Sequence, residues 1–375
     1  MTAALSDLCY FADGRVTVTD LDLDTYISTE NMLPNKEGIT RSAGLPTVNQ
    51  TQAYQAYDVL ISNIRPYFRK IWFADRDGGC SNDVLVLRTK ETCNPSFLYY
   101  LLSDNNFFDY ATATGKGTKM PRGDKGAIMR YAVPDVPLDM QIGIAATLSA
   151  LDARIAENRK INHHLEQMAQ AIFKSWFVEQ AADDWEYVEL GSVTTEIRTK
   201  VKERQLHVLS AVRTGNLVLS EDYFTKQVYS KDIGKYIVVE PNDFAYNPAR
   251  VNIGSLGINS FDFMGCVSPV YVVFRAEPEY HHFLSFFLKS PDFQEEVRVR
   301  ASGSVRQSLN YGDFALIQVL YPSIDIIRKF NFQYEGILEA IRRTEEENVR
   351  LAELRDTLLP RLMSGELSVA DLAAK

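Results

Sequence analysis

The chain has 375 residues, a formal net charge of −9, and 46% hydrophobic and 24% charged residues. This is the composition of an ordinary globular protein of two or three domains, and charged residues interrupt the apolar runs too often for a membrane span. Residues 1–11 lack the pattern of a secretion signal, so we expect a cytoplasmic protein. The acidic total argues against a surface that is basic everywhere, although a local basic face remains compatible with it.

The cysteines and histidines do not form a metal-binding pattern. The four cysteines have no Cys-x-x-Cys spacing, and the histidines occur mostly as adjacent pairs, which point to different faces of a helix. We therefore expect reduced thiols, no metal site and no disulfide framework.

The first block, residues 1–137, has mixed α and β character. Strand-like runs occur at 58–64, 71–74 and 84–87, and Asn94-Pro95 is typical of a helix start, with Asn as N-cap and Pro at the first helical position. A proline-bearing segment at 133–137 ends the block. These features predict an α+β domain.

Two polar segments of this block suit contacts with phosphates and base edges. Glycine allows close backbone approach, Lys and Arg neutralise phosphate, and Arg, Gln and Asn offer paired contacts to bases. A flexible surface loop or a salt-bridged strand end explains the same residues equally well. The candidate DNA-binding residues are Arg65, Tyr67, Arg69, Lys70, Lys116, Thr118, Lys119 and Arg122.

The next segment, residues 138–180, is predicted to be a long helix. Its stripe of apolar or small residues alternates steps of three and four and includes Asn158 and Asn162, which is a heptad pattern with a polar interruption. An apolar face near its end is a candidate for covering by a partner. The residues assigned to helix packing or partner binding are Asn162, Leu165, Phe173, Trp176 and Phe177.

The same organisation then recurs. Residues 181–323 form a second α+β block with strand-like runs at 236–239 and 270–274, and residues 324–375 hold a second striped helix and a tail. The candidate DNA-binding residues here are Arg250, Asn252, Ser304, Arg306, Gln307 and Asn310, and the candidate packing residues are Asn348, Leu351, Leu358 and Leu362.

An internal repeat relates the two halves at an offset of 186 residues. Ile155, Asn162 and Leu165 fall on Ile341, Asn348 and Leu351, and Cys80 falls on Cys266. With a slip of one, Asp58 falls on Asp243. The repeat predicts a pseudo-two-fold molecule in which two long antiparallel helices form a coiled coil, with Asn162 and Asn348 fixing its register.

A search for catalytic chemistry finds none that both halves share. The run 115–118 resembles a phosphate loop, but no Gly stands at the required upstream position, and Gly117 follows the Lys where Ser or Thr is required. No Ser/His/Asp or Cys/His set is repeated. We expect a non-catalytic DNA-binding protein, and a free-standing enzyme or a scaffold that binds only proteins remain the alternatives.

Several segments resemble the specificity subunits of type I restriction-modification systems, across nearly the whole chain. The most distinctive are Met168-Ala-Gln-Ala-Ile-Phe-Lys-Ser-Trp-Phe177 and Leu354-Arg-Asp-Thr-Leu-Leu-Pro-Arg-Leu-Met-Ser-Gly-Glu-Leu367. Residues 57–66, 118–124 and 158–162 also resemble this family. The segment 26–32 resembles part of the family's first recognition domain, which adds Ser28, Thr29 and Asn31 to the candidate DNA-binding residues.

The resemblance implies an α+β fold with target-recognition domain 1 at 1–137, a conserved spacer helix at 138–180, target-recognition domain 2 at 181–323, and a second spacer helix and tail at 324–375. It implies recognition of a bipartite, asymmetric site in double-stranded DNA. It also implies two copies of a methyltransferase subunit as partners, together with restriction/motor subunits, and S-adenosylmethionine, ATP and Mg would belong to those partners. Another methylation-based defence system, or a complex without a nuclease, is the close alternative.

Overall fold

The computed structural model describes residues 2–182, 184–224, 229–230, 232–301 and 308–369. Its contacts divide the chain into unit 1, which is Met1–Lys160 with Arg343–Lys375, and unit 2, which is Ile161–Arg342. Both long helices are shared in this division, because each contributes one part of its length to each unit. The domain boundaries at 137, 180 and 323, which separate helices from blocks, remain a prediction.

Unit 1 contains short strands and helices, followed by the start of the first long helix. Its strands are β1 Thr2–Ala4, β2 Cys9–Phe11, β3 Arg15–Thr17, β4 Tyr26–Ile27, β5 Gln50–Tyr54, β6 Val59–Ser62, β7 Ile71–Phe73, β8 Gly78–Cys80, β9 Val84–Thr89 and β10 Ala132–Pro134. Its helices are α1 Leu5–Leu8, α2 Pro95–Ser103, α3 Asn105–Ala113, α4 Lys125–Met129 and α5 Leu138–Lys174, the last continued by a π-helical turn Ser175–Glu179.

Unit 2 repeats this order and ends in the second long helix. Its strands are β11 Glu186–Glu189, β12 Thr194–Ile197, β13 His207–Ala211, β14 Leu217–Leu219, β15 Ile237–Val239, β16 Phe244–Tyr246, β17 Leu256–Ile258, β18 Gly265–Val267, β19 Val272–Ala276 and β20 Gln318–Tyr321. Its helices are α6 Leu190–Val193, α7 Ser220–Tyr223, α8 His281–Phe287, α9 Pro291–Ala301, α10 Tyr311–Ala315 and α11 Ile324–Met363.

The two units share the topology of one four-stranded sheet and of one separate strand pair, whereas their remaining sheets carry the additional strand, β3 or β14, on opposite edges. One sheet has the order β2-β9-β6-β7 in unit 1 and β12-β19-β16-β17 in unit 2, and β1–β10 and β11–β20 form separate pairs. A further sheet in each unit, β3-β5-β8-β4 or β14-β13-β18-β15, contains one parallel contact, which pairs Ile27 with Cys80 and Val208 with Cys266. The repeated cysteine therefore occupies the same place in both sheets.

Strand β6 shows why the sequences of the predicted strands are continuous apolar runs. Val59 and Ile61 pack in the core that contains helix α2, whereas Leu60 packs in a second core with Trp72 and Val86. Because successive residues of a strand point to opposite faces, a strand between two cores needs apolar residues at every position. The predicted start of α2 is confirmed, since the Asn94 side chain accepts a hydrogen bond from the Phe97 N–H at 3.0 Å.

An ion pair between a buried carboxylate and a partly exposed arginine stands at the same place in each unit. Arg88 donates two hydrogen bonds to Asp58, at 2.8 and 2.7 Å, and Arg275 donates to the two oxygens of Asp243 at 2.6 and 3.0 Å. The Asp58 and Asp243 side chains are 3% and 0% exposed. Both carboxylates also accept a backbone N–H at the turn before the strand. The pairing of Asp58 with Asp243 in the repeat is therefore structural.

In unit 1 the two long helices run antiparallel, and a buried asparagine lies at their contact. Asn158, which is fully buried, donates to Asn348 at 3.0 Å and to Glu347 at 2.9 Å. Asn348 therefore lies at the helix contact as predicted, and the role of Asn162 in fixing the register stays a prediction. Leu358 and Leu362 are buried as predicted, Leu351 and Leu165 are partly buried, and Leu354 of the predicted stripe is 46% exposed.

In unit 2 the helices meet through aromatic side chains. Phe173 and Phe177 are buried, and their rings lie 6.0 and 5.0 Å from the ring of Phe330 on α11. Trp176 is partly buried against the same cluster. Of the two predicted roles, helix packing and partner binding, Phe173 and Phe177 therefore have the first, because they belong to the unit's own core.

We expect acid to weaken unit 2 through His282. Its ring packs edge-on at 4.9 Å from Tyr334, and burial, together with His281, lowers the pKa of His282 to about 3. The neutral ring is therefore favoured in the folded state, whereas the unfolded chain takes up a proton below about pH 6.5. The free energy of unfolding should fall by about 1–2 kcal/mol between pH 7.5 and pH 5. Urea titrations at both pH values should show a smaller fall for His282→Gln, and an equal fall would count against this assignment.

Within the part of the chain described, no helix is long and apolar enough to cross a membrane.

Candidate nucleic-acid interface

Two of the predicted DNA-binding segments lie side by side in unit 1. The Arg65 N–H donates to the Pro121 carbonyl at 2.8 Å, and the Gly123 N–H donates to the Asn63 carbonyl at 3.1 Å. Ile64 also forms an antiparallel bridge with Arg122. The end of β6 therefore supports the loop that joins α3 to α4, and the two segments form one loop cluster.

The loop is closed at its base and exposed at its tip. Lys116 and Arg122 exchange two backbone hydrogen bonds, at 2.8 and 2.9 Å, and Gly117 turns the chain with a φ of 98°. Such a φ is accessible to glycine at little cost. Beyond this closure Thr118 and Lys119 are exposed, and Met120 is 50% exposed.

Ion pairs brace the base of the loop. The Lys116 amine lies 2.5 Å from Asp124, and the Arg122 guanidinium lies 2.8 Å from Asp83. The hydrogen bond from Lys116, helped by the Ala127 N–H, lowers the pKa of Asp124 to about 2. Asp124 also caps α4. Lys116 and Arg122 thus have a bracing role in addition to their predicted contact with DNA, and Lys119 carries the cation at the tip.

The second predicted cluster forms a tight turn that reaches the segment around Ser28. Arg65 and Arg69 flank a 3-10 turn, Pro66–Phe68, with φ angles of 51° and 53°. The Lys70 amine donates to the Thr29 carbonyl at 2.7 Å, which places Ser28 and Thr29 beside the turn. Tyr67 is 48% exposed, and Arg69 lies 3.6 Å from Asp109.

Asn31 was predicted to contact DNA, but the structure buries its side chain. Its side chain is 5% exposed, accepts from the Ser28 N–H at 2.6 Å, and donates to the carbonyls of Tyr26 and Thr40. A buried amide with these partners holds the loop together and is not free to contact a base. We therefore correct Asn31 from a DNA contact to a structural residue.

Unit 2 brings the corresponding segments together. The Leu309 N–H donates to the Pro248 carbonyl at 3.0 Å, and Arg250 and Asn252 beside it are exposed. Asn310 caps α10 by accepting from the Asp313 N–H at 3.0 Å, so its side chain has a structural role at the position that Asp124 has in unit 1. Ser304, Arg306 and Gln307 lie outside the described residues.

Sequence reasoning missed the acidic partners of this cluster. Asp83 and Asp109 are distant in sequence from the cations they pair with, and no local pattern signals such a pairing. Asp124 could be recognised from the sequence as the N-cap of a helix, because Asp is a preferred N-cap residue and apolar residues follow it closely.

In unit 1 the Arg65 Nε is buried without a hydrogen-bond partner among the described residues.

Replacing Lys119 with Gln should weaken DNA binding by a few-fold and reduce the slope of log affinity against log salt by about 1, because one phosphate contact is removed. Arg122→Gln is the matched comparison, and it should also loosen the loop by breaking the pair with Asp83. Fluorescence anisotropy across a salt series measures both effects. An unchanged slope for Lys119→Gln would count against contact at the tip.

Among the described residues, no group of three or more His, Cys, Asp or Glu side chains is arranged to hold a metal ion. Burial raises the pKa of the Cys9, Cys80 and Cys93 thiols to about 12 and that of Cys266 to about 11. These four cysteines are free and buried.

The fold and these loop clusters define a duplicated α+β protein with two long helices. Residues 2–167 match the family of the type I restriction modification DNA specificity domain. The resemblance of the chain to type I specificity subunits is confirmed.

Relatives and solved structures extend this similarity over most of the chain. The HindI specificity subunit of Haemophilus influenzae is 25% identical over 91% of this chain and 94% of its own length. The MjaIX specificity subunit of Methanocaldococcus jannaschii is 23% identical over 74% and 70%. The crystal structure of an S subunit from M. genitalium shares the fold, with 15% identity, a TM-score of 0.57, and coverage of 97% of this chain and 96% of that one.

Proposed function

We propose that this chain is the DNA sequence-recognition subunit of a type I restriction-modification complex and has no catalytic role of its own. The observation that carries the proposal is the duplicated loop cluster. In both units the segment after a central strand is hydrogen-bonded to the loop before a short capped helix, through Arg65 and Pro121 in unit 1 and through Pro248 and Leu309 in unit 2. Each cluster presents exposed cations, which suit a phosphate backbone.

The two clusters differ in sequence, so the proposed DNA site is bipartite and asymmetric. The tip in unit 1 reads Thr118-Lys119-Met120, whereas unit 2 has Arg250 and Asn252 exposed beside its loop. Side chains that present different donors and apolar groups select different bases. Each unit would read one half-site, and the long helices would set the spacer between them.

The proposed partners supply the chemistry. Two copies of a methyltransferase subunit would bring S-adenosylmethionine, and restriction/motor subunits would bring ATP and Mg. The net charge of −9 is compatible with this assembly, because partner subunits would provide much of the positive surface around the DNA. We expect the complex to be cytoplasmic. The same architecture in another methylation-based defence system, or in a complex without a nuclease, differs only in the neighbouring chains.

Selection from a random duplex pool tests this function. The chain is bound to its methyltransferase, bound DNA is recovered at about 0.15 M salt, where non-specific binding is weakened, and the recovered DNA is sequenced. We expect one enriched motif made of two different parts with a fixed spacer. Enrichment of no motif would favour a scaffold that binds only proteins. Methyl transfer or cleavage by the purified chain alone would favour a free-standing enzyme.

A further inference from the structure

Charged contacts join the two long helices in unit 1. The Arg355 guanidinium on α11 donates to Asp152 on α5 at 2.7 Å, and the Arg154 guanidinium on α5 donates to Glu347 on α11 at 2.9 Å. The Tyr100 hydroxyl of α2 donates to the other oxygen of Asp152, also at 2.7 Å. The carboxylate of Asp152 therefore holds α2, α5 and α11 together.

The Asp152–Arg355 pair is partly withdrawn from water, whereas Arg154 of the other pair is half exposed. The side chains of Asp152 and Arg355 are 30% and 25% exposed. At such positions an ion pair adds modest stability when it is complete, but one charge left without the other is costly. The Asp152–Arg355 contact therefore contributes more to the selection of the partner helix than to the stability of the fold.

The repeat places apolar side chains at every equivalent position of unit 2. At the offset of 186, Tyr100, Asp152, Arg154, Glu347 and Arg355 correspond to Phe286, Leu338, Ala340, Ile161 and Ala169. Buried pairs at the same offset, Ile144 with Phe330 and Leu359 with Phe173, show that it holds in the folded helices. In unit 2, Phe286 stacks on Phe173 with ring centroids 4.9 Å apart.

We infer that each long helix carries a pairing surface that accepts the other helix and rejects a second copy of itself. If α5 paired with another α5 in the same antiparallel register, Asp152 would face Ala169 and Arg154 would face Ile161. If α11 paired with another α11, Arg355 would face Leu338 and Glu347 would face Ala340. The first arrangement leaves Asp152 and Arg154 without an opposite charge at the facing position. The second leaves Glu347 without one, and Arg355 with only Asp356 of its own helix. The native pairing gives all four an opposite charge on the facing helix.

The consequence lies beyond DNA recognition itself. The asparagine contact shows the same asymmetry, because Asn348 pairs with Asn158, whose counterpart at the offset of 186 is Thr344. The charges and this contact both distinguish one helix from the other. They would prevent two chains from assembling through like halves, and so would keep two unlike recognition blocks together in a single molecule.

Cutting the folded full-length chain tests this selectivity. A protease site is inserted between Gln180 and Trp185, and the purified chain is cut, unfolded in urea, refolded by dilution and weighed by native mass spectrometry. We expect complexes of unlike fragments to exceed those of like fragments by about tenfold or more. Random pairing of the fragments would overturn the inference, and so would fragments that fail to associate.

A variant with the same surface in both halves is the control. It carries Tyr100→Phe, Asp152→Leu, Arg154→Ala, Glu347→Ile and Arg355→Ala, and like-fragment complexes should become abundant after the same treatment. A second variant, Asp152→Arg with Arg355→Asp, retains opposite charges and should still select unlike fragments, while Asp152→Arg alone should not. Unchanged selectivity in Asp152→Arg alone would contradict the inference even if the first variant does not fold. DNA binding is not used in these measurements, so their outcome is independent of the proposed function.

Discussion

Replacing Asp58 with Asn should lower the free energy of unfolding of unit 1 by about 2 kcal/mol, because Arg88 would lose charge-assisted hydrogen bonds to a buried carboxylate. Both oxygens of Asp58 accept from Arg88, and the Asp58 side chain is 3% exposed. Asp243→Asn should have a smaller effect on unit 2, because Arg275 would keep its ion pair with Glu240. Urea unfolding followed by near-ultraviolet circular dichroism measures both.

Asp24→Asn is the matched control for this prediction. Asp24 forms an ion pair with Arg41 in the same unit, but the two side chains are 54% and 66% exposed. Exposed pairs contribute little, so the loss should stay below about 1 kcal/mol. Equal losses for Asp58→Asn and Asp24→Asn would show that the buried pair does not stabilise the unit.

Exchanging residues 1–137 for the corresponding block of another specificity subunit should change one half-site completely and leave the other half-site and the spacer unchanged. The reason is that the loop cluster of unit 1 is built entirely within this block. Motif selection from a random duplex pool measures the result. A change in both half-sites would contradict separate reading by the two units.

The structure specifies what such an exchange must preserve. The block meets α5 through the Tyr100 hydroxyl on Asp152, and through the Gln141 side chain, which accepts from the Asn94 N–H at 2.9 Å. A donor block that has Tyr and Asn at these positions should yield a stable chimera. The same block with Tyr100→Phe is the control, and it should lose stability without a change in the bases recognised.

The sequence predicted features that depend on local periodicity or on the repeat. Apolar runs predicted the central strands, and the Asn-Pro pair predicted the start of α2. The repeat offset predicted the correspondence of Asp58 with Asp243. The partner of Asn348 did not follow from the sequence. Asn158 and Asn162 lie one turn apart on the same stripe, and the contact of Asn348 with Asn158 depends on how the opposing helix is placed.

The site was predicted in part for a related reason. The cations of the loop cluster were recognisable as residue types, but their supports come from distant parts of the chain, such as Asp83 for Arg122 and Thr29 for Lys70. The sequence of a helix likewise does not show which residues cover its hydrophobic face. Phe173 and Phe177 could therefore face a partner or pack on the second helix, and their contact with Phe330 shows that they belong to the core.

We propose that the two units read two different half-sites of one duplex, and the resemblance to type I specificity subunits implies that the methyltransferase partner modifies adenine there. Single-molecule sequencing of DNA from cells that express this chain with its methyltransferase tests it most directly, since methylated adenines are located base by base. We expect one motif with two unlike parts, a fixed spacer between them, and a methylated adenine in each part. Methylation at a single undivided motif, at two identical half-sites, or at no motif would contradict the account.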